Sequence, residues 1–152
     1  MSFSHPSGTR GGAMPRGPVM RLVNKLATRR VRRTGGQAMG MDLLVLHTVG
    51  RKSGEERTTP VARFSAPDGG WYVVASANGA VENPAWYLNM AAHPDRVSVE
   101  LDGQRFPVDA EELHGDERAA AWDLITREVP RFTKYEEKTD RLIPVVRLRR
   151  RG

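Results

Sequence analysis

The chain has 152 residues and no cysteine, which fits a single domain and excludes disulfides, thiolate nucleophiles and Cys-ligated metals. Its net charge of +6 is concentrated at the two ends: residues 1–33 carry eight basic and no acidic residues, whereas residues 34–146 carry 12 basic and 18 acidic residues. The folded body therefore lacks the basic excess of a nucleic-acid-binding domain, and we expect no nucleic-acid partner.

The first 33 residues divide into two segments. Residues 1–17 are rich in Gly, Ser and Pro and lack the apolar run of a secretory signal, which predicts a disordered tail. Residues 18–33 predict a basic amphipathic helix with an apolar face at helical spacing, formed by Val19, Leu22, Val23 and Leu26. This face could pack on the domain or lie on a membrane surface, and packing is favoured because most amphipathic helices cover a core.

Three strands are predicted next. The apolar run 43–46 indicates a buried strand, residues 57–65 its return strand, and the β-forming run 71–75 a third strand. The connections are short and rich in Gly, Pro and charge. Strands joined in this way pair in antiparallel fashion.

The rest of the chain continues the alternation of helices and strands. The predicted elements are a helix at 85–92, a strand pair at 97–101 and 106–108 joined by Asp102-Gly103, a helix at 117–128 capped by Asp116, an irregular segment or short helix at 131–141, and a strand at 143–148. About six strands and three helices, with hairpins and no repeated βαβ unit, predict an α+β domain built on an antiparallel barrel over residues 38–149.

Self-sufficient catalytic motifs are missing from the sequence. The four histidines are scattered at positions 5, 47, 93 and 114, so no metal site is expected. We find no GxSxG elbow, no phosphate-binding Walker loop and no GxGxxG. If the chain is an enzyme, a bound cofactor performs the chemistry.

Two segments suit a cofactor. In Gly50-Arg51-Lys52-Ser53-Gly54, the glycines allow close approach of backbone N–H groups to an anion, and the side chains add donors. The small residues 75–79, followed by residues 83–89, leave room for a flat ring at a strand exit. The alternatives are a plain hairpin turn for the first segment and a loop with a core helix anchored by Trp86 for the second.

Three segments resemble, in order and spacing, the motifs of the deazaflavin-dependent nitroreductase family: LHTVGRKSGEERTTPV, VVASANGAVENPAWYLNMAAHPDRVSVE and KYEEKTDRLIPVVRL. This family, which is typical of actinobacteria, is the F(420)-dependent branch of the split β-barrel flavin and deazaflavin oxidoreductases. The resemblance covers residues 40–148. It implies a split β-barrel, similar to FMN-binding barrels, with a few peripheral helices. It also implies coenzyme F(420), an 8-hydroxy-5-deazaflavin, as the cofactor, with FMN as the alternative.

The resemblance also implies roles for individual residues. The anionic tail of the cofactor would meet Arg51, Lys52 and Ser53. Thr59, Pro60 and Val61 would border the deazaflavin ring. The opposite wall and the remainder of the pocket would come from Ser76, Ala77, Asn78, Gly79, Trp86 and Asn89.

The family's acceptor pocket is lined by aromatic residues before a Thr-Asp-Arg motif. Tyr135 matches the tyrosine most closely tied to acceptor binding, Phe132 replaces another, and Lys138 stands where an aromatic residue is expected. The resemblance implies hydride transfer to a quinone-like or nitroaromatic acceptor, with Lys138 disfavouring bulky nitroimidazoles. Our hypothesis is that Tyr135 orients the acceptor or relays a proton, and the alternative is a half-buried structural aromatic residue.

The resemblance leaves several functions to be distinguished. The first is an F(420)H2-dependent quinone reductase or nitroreductase. The alternatives are a non-catalytic F(420) carrier or storage protein and an FMN-binding split-barrel protein. We expect a cytoplasmic protein that the basic helix could hold at the inner face of the cell membrane, and pairing into a homodimer stays open.

Overall fold

In the described part of the chain, the fold is one curled antiparallel sheet with four helices around it. The computed structural model describes residues 3–4, 6–13, 17–38 and 40–151. The elements are α1 (Gly17–Arg33), β1 (Gln37–Ala38), β2 (Met41–Val49), β3 (Glu56–Ala62), β4 (Phe64–Ser65), β5 (Trp71–Val74), a 3₁₀ turn (Ala77–Gly79), α2 (Ala85–Ala92), β6 (Ser98–Leu101), β7 (Gln104–Glu112), α3 (Gly115–Glu128), α4 (Arg131–Lys138) and β8 (Val145–Arg150).

The sheet order explains the burial pattern of its strands. The strands follow the order β1-β2-β6-β7-β8-β5-β4, and β3 also pairs with β2. Leu44 and Leu46 of β2 face the barrel interior, whereas Leu43 and Val45 face a smaller cluster that includes Val31 of α1. Because both faces of β2 are covered, its sequence is a continuous apolar run rather than an alternating one.

The barrel interior is closed at one end by α2. Trp86, Tyr87 and Met90 of α2 pack in the same cluster as the inward side chains of β2, β5, β6, β7 and β8. A second cluster lies under α3 and α4 and includes Ile125 and Phe132. Each fully buried large apolar side chain contributes about 1.5–3 kcal/mol. The structure confirms the predicted α+β antiparallel barrel and adds the short strands β1 and β4, and residues 131–138 form a helix.

Strand β3 forms an edge of the described sheet and carries Pro60. Pro60 lies opposite Val45 of β2, and α1 packs across β3. A proline cannot donate a ladder hydrogen bond, so an edge strand is where the sheet tolerates it. Strand β3 lies beside α1, and its residues line the site described below.

Helix α1 packs with a different face from the one that its sequence suggested. Its inward residues are Met20, Asn24, Ala27, Thr28 and Val31. The predicted apolar face instead points to solvent, with Val19, Leu22, Val23 and Leu26 between 47% and 61% exposed. The favoured interpretation, that the helix packs on the barrel, is confirmed by its contacts with β2 and β3, but the predicted apolar face is not the one that packs. Thr28 and Val31 are the residues that become buried, so they set the rotation of the helix.

A charged network fixes the C-terminal end of α1. Arg32 donates two hydrogen bonds to Glu100 of β6, at 2.7 and 2.8 Å. The buried ring of His47 lies between Glu100 and Glu56, and Arg105 forms a second double hydrogen bond with Glu56. The hydrogen bonds from the two guanidinium groups lower the pKa values of both carboxyl groups. The network joins α1 to β2, β3 and β6.

The N-terminal strap, residues 8–12, follows the surface of the barrel. Gly8 N–H donates to the Val81 carbonyl at 2.9 Å, and Gly12 exchanges backbone hydrogen bonds with Gly79 and Val81. The sequence predicts disorder over residues 1–17, whereas these described residues bond to the body. A Cβ on Gly11 would come within 2.5 Å of the Gly79 carbonyl oxygen. The glycines that suggest disorder thus also permit this close backbone approach.

Candidate functional site

A cavity of about 1600 Å³ opens where the β2–β3 turn and the loop after β5 meet α1, α2 and α4. It exceeds the roughly 300–1,000 Å³ of a typical small-molecule pocket, so it has room for two reactants. Its lining includes most of the residues singled out from the sequence: Arg51, Lys52, Ser53, Thr59, Pro60, Val61, Ser76, Ala77, Asn78, Trp86, Asn89, Phe132 and Tyr135. Two of the proposed residues, Gly79 and Lys138, are not part of this lining.

The β2–β3 turn presents two basic side chains at one end of the cavity. Gly50 N–H donates to the Glu55 carbonyl at 2.8 Å, which closes the turn. Arg51 and Lys52 are exposed at its tip, and neither forms an ion pair with a carboxylate in the described part of the chain. The Ser53 hydroxyl accepts from Glu55 N–H and from Arg57 inside the turn. Ser53 therefore stabilises the turn, while the two basic residues are available to an anion.

Helix α2 holds this turn in place. The buried Asn89 side chain accepts a hydrogen bond from the Arg51 backbone N–H at 3.0 Å. Trp86, one turn earlier, is also buried and lies in the cavity wall. The neighbouring Tyr87 points to the other side, where its hydroxyl donates to Glu112. Trp86 and Asn89 thus shape the cavity together with Ala85 and Leu88 of the same helix, whereas Tyr87 belongs to the barrel core.

The loop after β5 forms the middle of the cavity with an unusual backbone. Ala77 and Asn78 have φ values of 45° and 54°, and Gly79 has 78°. A left-handed residue other than glycine costs on the order of 1–3 kcal/mol and is held by its surroundings. Ser76, Ala77 and Asn78 face the cavity, but Gly79 is buried against α4, where a Cβ would come within 3.0 Å of Lys138 Cβ. Small residues here leave space for a flat ligand.

The cavity also has an aromatic side. Tyr135 of α4 is half-buried in its wall. Phe132 is buried and meets both Phe64 and Tyr135 edge-on, at ring-centroid distances of 5.8 and 5.4 Å. Lys138 is exposed, with its stem beside Gly79 and the strap. Of the three proposed acceptor residues, the structure places Tyr135 at the cavity surface, Phe132 mainly behind it and Lys138 outside.

The sequence places Asn83 only within the segment 83–89 and predicts no role for Arg141; Asn83 lines the cavity, and Arg141 supports it from outside the lining. Arg141 lies behind the loop after β5 and bonds to it and to Asn83. The signal available in the sequence was the Thr139-Asp140-Arg141 motif, which served only for the resemblance. A surface arginine and a buried one look the same in a sequence.

The described residues give no support for a metal site or a membrane span. No group of three or more His, Asp or Glu in the described ranges could hold a metal ion. No described helix is both long and apolar enough to cross a membrane. The cavity itself combines a basic end, a small-residue wall and an aromatic wall.

Comparisons with known proteins agree with this arrangement. The family model of the F(420)H2-dependent quinone reductases matches residues 19–149. A quinone reductase of Mycobacterium tuberculosis that is named as F(420)H2-dependent is 39% identical over 112 residues, which cover 71% of this chain and 73% of the relative.

Two solved structures are also similar. One is described as an F(420)H2-dependent reductase, with a TM-score of 0.62 and 38% identity, covering 70% of this chain and 92% of the other. The second is described as a domain-swapped dimer, with a TM-score of 0.64 and 33% identity, and the match covers 87% of this chain and 99% of the other. The predicted split-barrel fold is confirmed. The chain belongs to the F(420)H2-dependent quinone reductase family, so it is an oxidoreductase with coenzyme F(420) as its cofactor, as the resemblance implied.

Proposed function

We propose that this chain is a quinone reductase that binds coenzyme F(420) along the cavity, from the β2–β3 turn to the loop after β5. The observation that carries the proposal is the placement of two exposed basic side chains at one end of the cavity and a wall of small, left-handed residues at its middle. An elongated ligand with an anionic tail and a flat ring has this shape. When bound, the reduced deazaflavin supplies a hydride to the acceptor.

Each wall has a role in binding. Arg51 and Lys52 bind the anionic tail through charge-assisted hydrogen bonds worth about 1.5–3 kcal/mol each when well formed. Asn89 keeps the Arg51 backbone in position, and Ser53 stabilises the turn from inside. The wall beside the ring is provided on one side by Thr59, Pro60 and Val61 and on the other by Ser76, Ala77 and Asn78, with Gly79 beneath them and Trp86 at the end.

The acceptor lies on the side of Tyr135 and α1. Met20 and Leu22 of α1 and Val61 of β3 give this part of the cavity an apolar character that suits a quinone ring. Tyr135 orients the acceptor and Phe132 holds the Tyr135 ring, whereas Lys138 stays outside the lining, beside Gly12 and Gly79. A compact nitroaromatic compound is a second acceptor for the same space. Packing around the acceptor excludes water from the reacting atoms.

We propose that the exposed face of α1 holds the protein at the inner surface of the cell membrane, where quinones dissolve. Val19, Leu22, Val23 and Leu26 are exposed, and the helix carries six basic and no acidic residues. Apolar residues flanked by basic ones suit an anionic lipid surface. A second copy of α1 on this face would bring like charges together, which favours the membrane over a homodimer through this helix. The rest of the protein lies in the cytoplasm.

Titration with purified F(420) tests the cofactor site. We expect saturable quenching of tryptophan fluorescence, because Trp86 lies in the cavity wall. In the double variant Arg51→Ala/Lys52→Ala, we expect the dissociation constant to rise by 100-fold or more, from the loss of two charge-assisted contacts. FMN, titrated in parallel, should bind more weakly.

The control is Arg127→Ala/Arg149→Ala, which removes two exposed charges outside the cavity. Tight binding of FMN without a response to F(420) would contradict the proposal and favour the FMN-binding alternative. Binding of F(420) without turnover of any quinone by the reduced form would favour the carrier alternative.

A further inference from the structure

Among the described residues, one buried cation, Arg141, lies behind the loop that forms the middle of the cavity. Arg141 is 5% exposed, and its guanidinium group donates to three backbone carbonyls and one side chain. The acceptors are the Ala80 carbonyl at 2.9 Å, the Ala75 carbonyl at 3.0 Å, the Ser76 carbonyl at 2.7 Å and Asn83 Oδ1 at 2.9 Å. The loop is thus bound at its beginning and at its end by one side chain.

These bonds replace the ion pair that a buried charge normally has. The four acceptors are neutral oxygens, and burial lowers the pKa of Arg141 to about 10, so the group stays charged at neutral pH. A buried charge is expensive unless polar groups are directed at it. The carbonyls of residues 75, 76 and 80 must therefore turn inward, away from the cavity, which fixes the course of the loop between them.

The constrained stretch is the one with the unusual backbone. Ala77 and Asn78, between the bonded carbonyls, lie in the left-handed region and line the cavity. This conformation is costly for residues other than glycine and persists only where the surroundings impose it. Without the guanidinium group, the loop would relax toward ordinary backbone angles and move the cavity wall.

We propose that Arg141 is a positioning residue that sets the shape of the cofactor-binding wall without touching the ligand. This inference rests on the proposed function, since it assigns the wall to the cofactor. Lysine cannot replace Arg141, because one ammonium nitrogen cannot reach carbonyls that lie in the separate directions of the planar guanidinium fork.

The test compares Arg141→Lys with Arg118→Lys. Arg118 is a matched control, because its guanidinium group also bonds to a buried carbonyl, that of Ile143, but lies outside the cavity. For Arg141→Lys, we expect the dissociation constant of F(420) and the KM for its reduced form to rise at least tenfold, with the KM for a naphthoquinone unchanged within about twofold. Arg118→Lys should lower the melting temperature without changing either KM.

Several outcomes would overturn the inference. Wild-type binding of F(420) by Arg141→Lys would show that the residue only stabilises the fold, as would equal rises in both KM values. If Arg141→Lys does not fold, Asn83→Ala removes one acceptor of the guanidinium and should raise the KM for reduced F(420) by twofold to fivefold; no rise would reject the positioning role. Failure of the wild-type chain to bind F(420) would instead refute the proposed function itself.

Discussion

Two roles are proposed for Tyr135, orientation of the acceptor and relay of a proton, and a single substitution can distinguish them. It is half-buried in the cavity wall and held edge-on by Phe132, so the loss of its hydroxyl should leave the ring in place. For Tyr135→Phe, we expect kcat/KM with a naphthoquinone to fall about twofold to tenfold if the hydroxyl only orients the acceptor, since one hydrogen bond is worth about 0.5–1.5 kcal/mol. A proton relay would make the loss roughly 10²–10⁴-fold.

The matched control for Tyr135→Phe is Tyr72→Phe, since Tyr72 is buried on β5 and does not line the cavity. The measurement is steady-state turnover with saturating reduced F(420), together with the dissociation constant of the cofactor, which should stay unchanged. Activity equal to that of the wild type would reject both roles and leave Tyr135 as a structural aromatic residue.

At the scale of elements, one carboxylate adds side-chain hydrogen bonds to the backbone bonds that dock the N-terminal strap. Asp140 accepts hydrogen bonds from Thr9 N–H at 2.7 Å, from the Thr9 hydroxyl and from Arg10 N–H at 2.8 Å. Thr139 adds a bond from its hydroxyl to the Arg10 carbonyl. These donors, the Thr9 hydroxyl first, lower the pKa of Asp140 to about 2. The strap in turn covers the outer side of the loop that Arg141 holds from within.

The lowered pKa predicts how the strap responds to acid. A carboxyl group with a depressed pKa favours the docked strap above its ordinary pKa of 3.8, and this contribution is lost as the pH falls through about 2. We therefore expect Thr9 and Arg10 to stay bonded to Asp140 at pH 5 and to loosen between about pH 4 and 2. NMR signals of the Thr9 and Arg10 amides should move over this range, ahead of core amides such as that of Val99.

The variant Asp140→Asn should loosen Thr9 and Arg10 at neutral pH while the backbone bonds of Gly8 and Gly12 persist, with Asp123→Asn, an exposed carboxylate on α3, as its control. Thr9 and Arg10 amide signals that keep their positions in Asp140→Asn would contradict the assignment of Asp140 as the fastening group.

The elements that the sequence predicted well are those with strong local signals. The β2, β5 and α2 segments combine apolar runs with clear turn residues, so their type and approximate bounds follow from the sequence. The rotation of α1 does not, because it is set by Thr28, Val31 and the Arg32–Glu100 pair rather than by the most apolar face. The strap is also missed, since its bonds join residues about 130 positions apart.

In the candidate site, too, some residues can be predicted from the sequence and others cannot. Residues that contact the cavity from turns and short loops, such as Arg51 and Asn78, could be proposed from the motifs, and the structure brings them together. Gly79, Lys138 and Arg141 could not be placed, because whether a side chain faces the cavity or supports it from behind depends on how α4 and the following segment pack on the loop. Sequence motifs predict that a residue lies near a site more readily than they predict whether its side chain faces that site.

At the scale of the whole molecule, charge and apolar exposure are distributed unevenly. The basic excess lies in residues 1–33 and at the C-terminus, whereas residues 34–146 have more acidic than basic residues. The exposed apolar face and the six basic residues of α1 lie on one helix, and this helix also borders the cavity. An anionic membrane would attract this side of the molecule and repel the acidic body, which would turn the cavity toward the lipid.

Vesicle binding tests this orientation. We expect the chain to sediment with phosphatidylglycerol-containing vesicles but weakly with pure phosphatidylcholine, and binding should fall with added salt because surface charges are screened. Leu22→Asp/Leu26→Asp should lower the partition coefficient by at least about tenfold, since each leucine loses part of the roughly 1.5–3 kcal/mol of full burial. Leu142→Asp is the control, because Leu142 is similarly exposed and does not belong to α1. If the double variant binds vesicles as the wild type does, or if it abolishes a dimer that the wild type forms without lipid, the face of α1 does not serve as a membrane contact.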